Sequence, residues 1–253
     1  MTRTSTIVAM VLIPVAAGAG GSPGDSTRPH IDPRADALVH RMSAELASLR
    51  SFRVDADAAD EVVLRSGQKL QELSQSHVAV KRPNRLRAER VGTIADVVLR
   101  YDGDQLSLFG NRTAMYATAH APPTLDGAIN YGRDRLGLEA PAADLLFSRP
   151  YDVLMDGVSS GEYVGLEPVD GVPCHHLAFR AAEVDWQIWI EDGPHPLPRR
   201  YVITSKTELG SPEFTVRLSH WDPQASLPDS LFSFAPPAGA TKIDFLPSDA
   251  GTR

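Results

Sequence analysis

The chain has 253 residues, with 25 Lys+Arg against 32 Asp+Glu and a formal net charge of -7. That acidic balance excludes a general nucleic-acid binder, which needs a basic surface to displace counterions. A single cysteine excludes an internal disulfide framework and any Cys-rich metal site, and 20 prolines with 19 glycines argue against long uninterrupted helices.

The N-terminus carries one charge, Arg3, before an apolar run from Ile7 to Ala19. A run of about thirteen residues is too short for a bilayer, which needs ~20. Small residues follow, and Ala17-Gly18-Ala19 fits an A-x-A cleavage pattern, so residues 1–19 read as a cleavable secretory signal. No Cys follows for lipoprotein processing, and no later run could form a membrane span in the mature chain. Residues 20–31 are rich in Pro, Gly and Ser and read as a flexible leader, with one domain over 32–253.

Asp32-Pro33 reads as an N-cap with proline in the first turn of a helix. Leu38, Val39, Met42, Leu46 and Leu49 then recur at helical spacing, predicting one amphipathic helix over 33–51. From Phe52 the period drops to two. Short strands are predicted at 52–56, 61–65, 77–81, 86–90, 97–101, 105–109 and 114–119, a meander with an Asp102-Gly103 hairpin turn. Pro122-Pro123 ends it. Thr124 caps a predicted helix over 125–136, and a shorter one is expected over 142–147, stopped by Pro150. Strands resume near Tyr163. Those over 174–180 and 186–191 form a hairpin, followed by strands over 200–206 and 214–221, with Phe214, Val216, Leu218 and His220 on one face.

Most of these strands alternate apolar with polar residues, the pattern of an antiparallel sheet with one buried face. About ten such strands curl as twist accumulates, and the concave apolar face needs covering. The expected class is α+β: a curled antiparallel sheet forming an incomplete, half-open β-barrel, lidded by the N-terminal helix and the short central helices.

Four segments carry a resemblance: VDGVPCHHLAFR (169–180), DWQIWIE (185–191), PLPRRYVI (196–203) and LPDSLFSFAPPAG (227–239). With them the chain resembles an uncharacterised family of predicted periplasmic proteins grouped with the LolA/LolB lipoprotein-carrier superfamily. The resemblance spans about Pro33 to Leu246. It implies a periplasmic location and a half-open barrel whose helices lid an apolar cavity, which in the carriers takes lipoprotein acyl chains. It supplies no catalytic motif and no cofactor, and fold alone does not fix function.

The candidate ligand-binding residues are therefore Phe179, Trp186, Ile188, Phe214, Val216 and Leu218, the apolar strand faces that line either a filled core or a lipid cavity. Trp189 has the opposite parity from Trp186 and is expected near the surface or under another element. Cys174-His175-His176 looks like metal chemistry, but successive strand residues point to opposite faces, so no metal site is expected. Gly157-Val-Ser159-Ser-Gly161 matches G-x-S-x-G, yet strands follow the serine where a nucleophile elbow needs a helix, so Ser159 ranks low as a hydrolase nucleophile. Asp55, Asp57, Asp60 and Glu61 read as a solvated strand-turn face. The sequence thus points to a non-enzymatic exported protein that binds a lipid or lipoprotein acyl chain. The alternative is a module that docks envelope proteins or senses envelope stress.

Overall fold

The computed structural model describes residues 30–245. The expected signal segment 1–19, residues 20–29 of the expected leader and residues 246–253 lie outside the described residues. The last two leader residues, His30–Ile31, form strand β1. Their backbone pairs in parallel with Ser160 and Gly161, in a strand from the middle of the chain.

Helix α1 spans Pro33–Ser48, its first turn capped by the Asp32 carboxylate, which accepts from the Arg34 N–H at 2.7 Å. It buries Ala35, Leu38, Val39, Met42 and Leu46, the stripe its periodicity predicts. Six strands follow: β2 (Ser51–Val63), β3 (Lys69–Lys81), β4 (Arg85–Gly92), β5 (Asp96–Tyr101), β6 (Gln105–Gly110) and β7 (Met115–His120). Helices α2 (Leu125–Leu136) and α3 (Pro150–Leu154) interrupt them, with a 3-10 turn at Ala143–Leu146 between. Five strands then complete the body: β8 (Ser160–Val169), β9 (Val172–Arg180), β10 (Val184–Glu191), β11 (Pro198–Ser205) and β12 (Glu213–Asp222). The short β13 (Thr241–Lys242) comes last.

The thirteen strands of the described residues make one curled, unclosed sheet, in the order β1-β8-β9-β10-β11-β12-β2-β3-β4-β5-β6-β7-β13. Two meanders are joined where β12 pairs antiparallel with β2. The class is the expected α+β open barrel. Its outermost strands, β1 on β8 and β13 on β7, pair in parallel and make the sheet mixed rather than wholly antiparallel.

Local differences from the sequence reading have physical causes. Residues 52–56 and 61–65 do not form two strands. β2 runs through the acidic cluster and pairs residue for residue with β3. Its carboxylates are matched by cross-strand partners: Asp55 with His77 at 2.6 Å, Asp57 with Arg217 at 2.9 Å, Asp60 with Arg90 at 2.8 Å and Glu61 with Lys69 at 2.9 Å. Pro150 opens a helix rather than stopping one, standing in the first turn of α3 where its missing N–H costs nothing. At the end of β12 the register shifts between Ser219 and Asp222, and His220 takes φ 49°. This bulge turns His220 out to solvent and brings Trp221 into the face assigned to it. Asp170 and Gly171, both at positive φ, make the tight β8–β9 turn.

The convex face is not simply wet. After β12 the chain crosses it as a strap built from the 227–239 motif. Leu227 and Phe232 pack with Ala225 on Ala79 of β3. Lys81 binds Asp229 at 2.7 Å. Phe234 meets Phe109 and Tyr116 at ring-centroid distances of 6.2 and 5.3 Å. The strap ends as β13 beside β7.

Candidate functional site

The concave face divides into a solid half and a hollow half. Over β8–β11 the space is filled. Leu177 and Phe179 of β9, Trp186, Ile188 and Ile190 of β10 and Tyr201 of β11 are all buried in one cluster with the apolar stripe of α1. Phe179 stacks on Trp186 with centroids 4.1 Å apart, and Tyr201 meets the same indole edge-on at 5.9 Å. Burial drives the Tyr201 phenol well above its ordinary pKa. Helix α1 is held down through α3: the Tyr151 hydroxyl donates to Asp36 at 2.6 Å and its ring stacks on His40 at 3.5 Å.

Over β12 and β2–β6 the space is a cavity of about 450 Å3. Its floor is aliphatic: Val54, Ala56 and Ala58 of β2, Val78 of β3, Leu86 and Ala88 of β4, Val97 and Leu99 of β5, Leu106 and Leu108 of β6. Phe214, Val216, Leu218 and the bulge residue Trp221 close the β12 side. The roof is Ala128, Ile129 and Gly132 of α2 and the segment Gly137–Leu146. Small side chains make the hollow, since alanines stand at several floor positions where the solid half carries Phe, Trp and Ile.

Of the sequence-derived candidates, Phe214, Val216 and Leu218 thus line the cavity. Phe179, Trp186 and Ile188 lie outside it, in the packed core under α1. Residues of the first meander and of the roof complete the wall. Sequence pattern placed them on the concave face without showing that no described side chain fills the space above them.

The roof hangs from few attachments. Thr124 caps α2, and Gly137 ends it at φ 63° with its N–H on the Gly132 carbonyl. The Arg82 guanidinium reaches under the far end to the Phe147 carbonyl at 3.1 Å, and burial lowers its pKa. Asp126 of α2 accepts from both the backbone and the hydroxyl of Ser148. The half-buried Asp144, in the 3-10 turn, has its carboxyl pKa raised by desolvation, with Arg133 opposing.

Polar groups of the wall are few. Ser74, Ser76 and Arg90 stand at one end of the β3–β4 floor, and Arg133 and Glu139 at the roof. Arg90 reaches across β3: its Nε donates to the Ser74 hydroxyl at 3.1 Å and its Nη2 to Asp60 at 2.8 Å.

The other sequence candidates are elsewhere. Ser159 precedes β8, and its hydroxyl donates to the Arg180 carbonyl at 3.0 Å. His175 points to the concave side, 3.2 Å from the Tyr163 hydroxyl and 3.1 Å from Asp192. His176 points to the convex side, stacked on Trp189 at 4.0 Å. Trp189 is buried there with Cys174 and Val202 and donates to Glu167 at 2.8 Å. Burial pushes the Cys174 thiol up to about 11, so it is a small hydrophobe rather than a nucleophile. Among the described residues no group of three or more His, Cys, Asp or Glu side chains could hold a metal ion, and no helix is long and apolar enough to cross a membrane.

Fold and site together define an open-sheet protein with a solid half that carries the structure and a hollow apolar half. The chain belongs to the family described as "Predicted periplasmic protein (DUF2092)", which matches residues 35–246, and this places it in the periplasm. Similar solved structures include an uncharacterized conserved protein from Thermus thermophilus, 12% identical, covering 83% of this chain and 99% of that one at a TM-score of 0.48. The lipoprotein LppX from Mycobacterium tuberculosis is 17% identical over 77% of this chain and 98% of its own, TM-score 0.48. A LolA superfamily protein from Nitrosomonas europaea is 11% identical over 79% and 97%, TM-score 0.41. Among curated proteins no match is found.

Proposed function

We propose that this periplasmic protein is a non-enzymatic binder of a lipid or other acyl chain, held in the cavity over β12 and β2–β6. One observation carries the reading: a hollow of about 450 Å3 walled mostly by apolar side chains and roofed by a thinly attached segment. Ligand sites have volumes of ~300–1,000 Å3 and mostly apolar walls. Phe214, Val216 and Leu218 are the sequence-derived candidates that serve this role, joined by Leu99, Leu108 and Trp221.

The test is uptake. Protein purified from the periplasm, examined by native mass spectrometry, carries a bound acyl compound, and the delipidated protein takes up a fluorescent fatty acid saturably at one site. Absence of both signals removes the reading.

A further inference from the structure

The cavity has a size and one polar end, and together they specify a ligand class. At about 25 Å3 per carbon, the ratio at which an apolar cavity of about 150 Å3 takes one benzene, 450 Å3 holds about eighteen carbons. That is one acyl chain. The two or three chains of a diacyl lipid or a triacylated lipoprotein need two or three times the space.

The polar end is built on strands. Ser76 stands directly opposite Arg90 in the β3–β4 register, and Ser74 opposite Gly92. The Arg90 guanidinium lies over Ser74 with its Nε on that hydroxyl and one Nη2 hydrogen on Asp60. Among the described residues no acceptor engages its Nη1 group. Since the Ser74 oxygen accepts from Arg90, its own proton is free to be donated. An Nη1–Nη2 edge beside serine hydroxyls is a fork of donors, the geometry that takes a planar anion in two parallel hydrogen bonds. Asp60, on the same face of the sheet, balances part of the guanidinium charge at 2.8 Å. Ser74 and Arg90, with Ala95 of the same wall, also border a second, small pocket with Glu72, Leu73 and Ile94, and the Arg90 side chain is 39% exposed, so this end reaches the outside.

We infer that the ligand is a single-chain amphiphile with an anionic head, a long-chain carboxylate, whose tail fills the cavity and whose head sits on Arg90 and Ser74. This rests on the acyl-binding reading above and narrows it. Lipids with two or three chains are not the cargo.

The experiment displaces a fluorescent fatty acid from the delipidated full-length mature protein. The competitors are palmitate, hexadecanol, palmitoyl lysophosphatidylglycerol, dipalmitoyl phosphatidylglycerol and a tripalmitoyl lipopeptide, with stoichiometry from native mass spectrometry. Palmitate binds one to one and at least tenfold more tightly than the diacyl and triacyl compounds. Arg90→Gln weakens palmitate at least tenfold and leaves hexadecanol unchanged, which also shows that the variant is folded. Arg90→Lys keeps the charge, loses the fork and falls between the two. A lysolipid that outcompetes palmitate and loses that advantage in Arg90→Gln supports the single chain and anionic head and places the head on phosphate. Equal competition by the diacyl lipid or the lipopeptide overturns the single chain. Equal effects of Arg90→Gln on palmitate and hexadecanol overturn the head assignment. Failure of every compound to bind the wild-type protein is a different result, because it removes the acyl-binding reading itself.

Discussion

Gly161 of β8 lies flat against the ring of Phe179 of β9, so close that a Cβ at position 161 would stand 2.5 Å from the Phe179 Cδ1 and 2.6 Å from its Cε1. The ring cannot retreat, because its other side is stacked on Trp186. Ile31 of β1 closes the remaining space at 3.2 Å. Gly161→Ala therefore overpacks the solid half and costs about 1–3 kcal/mol. A urea titration that leaves the midpoint unchanged would contradict this packing.

The two halves of the concave face respond in opposite ways to a change of volume. Ile188 is fully buried beneath α1, and Ile188→Ala leaves a void costing about 2–5 kcal/mol. Ala88 faces the hollow, so Ala88→Phe adds a ring where there is room for it. That variant melts close to the wild-type temperature and loses fatty-acid uptake. Thermal melts paired with probe titration separate the two behaviours, and a well-folded Ala88→Phe variant that binds normally would place the ligand elsewhere.

Phe232 is the deepest residue of the convex strap, 1% exposed against Ala79, Ala225 and Leu227. Phe232→Ala removes the largest side chain of that small cluster and costs about 3–5 kcal/mol. The loss releases the strap before the sheet unfolds. Amides of β7 and β13 lose hydrogen-exchange protection in the variant, while those of β9 and β10 keep theirs. Uniform loss across all four strands would mean that the strap is not a separate unit.

Asp144 gives the roof a pH dependence of known sign. Burial raises its folded-state pKa above 3.8, so the native state binds its proton more tightly than the unfolded chain does. Above that raised pKa the buried charge destabilises the fold, and the penalty fades as the pH falls through it. Asp144→Asn is thus more stable than wild type at pH 7, with the difference shrinking towards zero in acid. Asp57 and Glu167 act in the opposite direction. A hydrogen bond from Arg217 leads the lowering of Asp57, and one from Trp189 leads that of Glu167, so their contribution is lost as the pH falls. Melting curves of wild type and Asp144→Asn between pH 3 and pH 7 check this, and a constant difference across the range would contradict it.

The sequence made much of this architecture legible because each strand or helix needs only its own neighbours to show its period. The α1 stripe, the Asp102-Gly103 and Asp170-Gly171 turns and the Trp186–Ile188–Ile190 face all follow from residues a few positions apart. What stayed hidden depends on residues far apart in the chain. Asp55 to Glu61 broke the apolar alternation, and β2 is continuous there only because Arg90, Lys69 and Arg217 arrive from other strands. The bulge that exchanges His220 for Trp221 leaves the local alternation intact. Periodicity assigned Ile188 and Val216 to one concave face alike. It could not show that α1 covers the first while the second borders open space.

The two-residue strands at the margins have a consequence for how copies of the protein meet. An open sheet ends in two rows of unpaired amides, an invitation to join sheets end to end. Here β1 occupies only Ser160 and Gly161 of β8, and β13 only Met115 and Tyr116 of β7. Beyond them β8 carries its own deterrents: a register shift between Tyr163 and Gly165, exposed carboxylates at Glu162 and Glu167, and Pro168, which has no amide proton to offer. On the β8 side the barrel therefore stays unclosed with an edge that is bent, charged and short of one amide proton, which disfavours end-to-end pairing there.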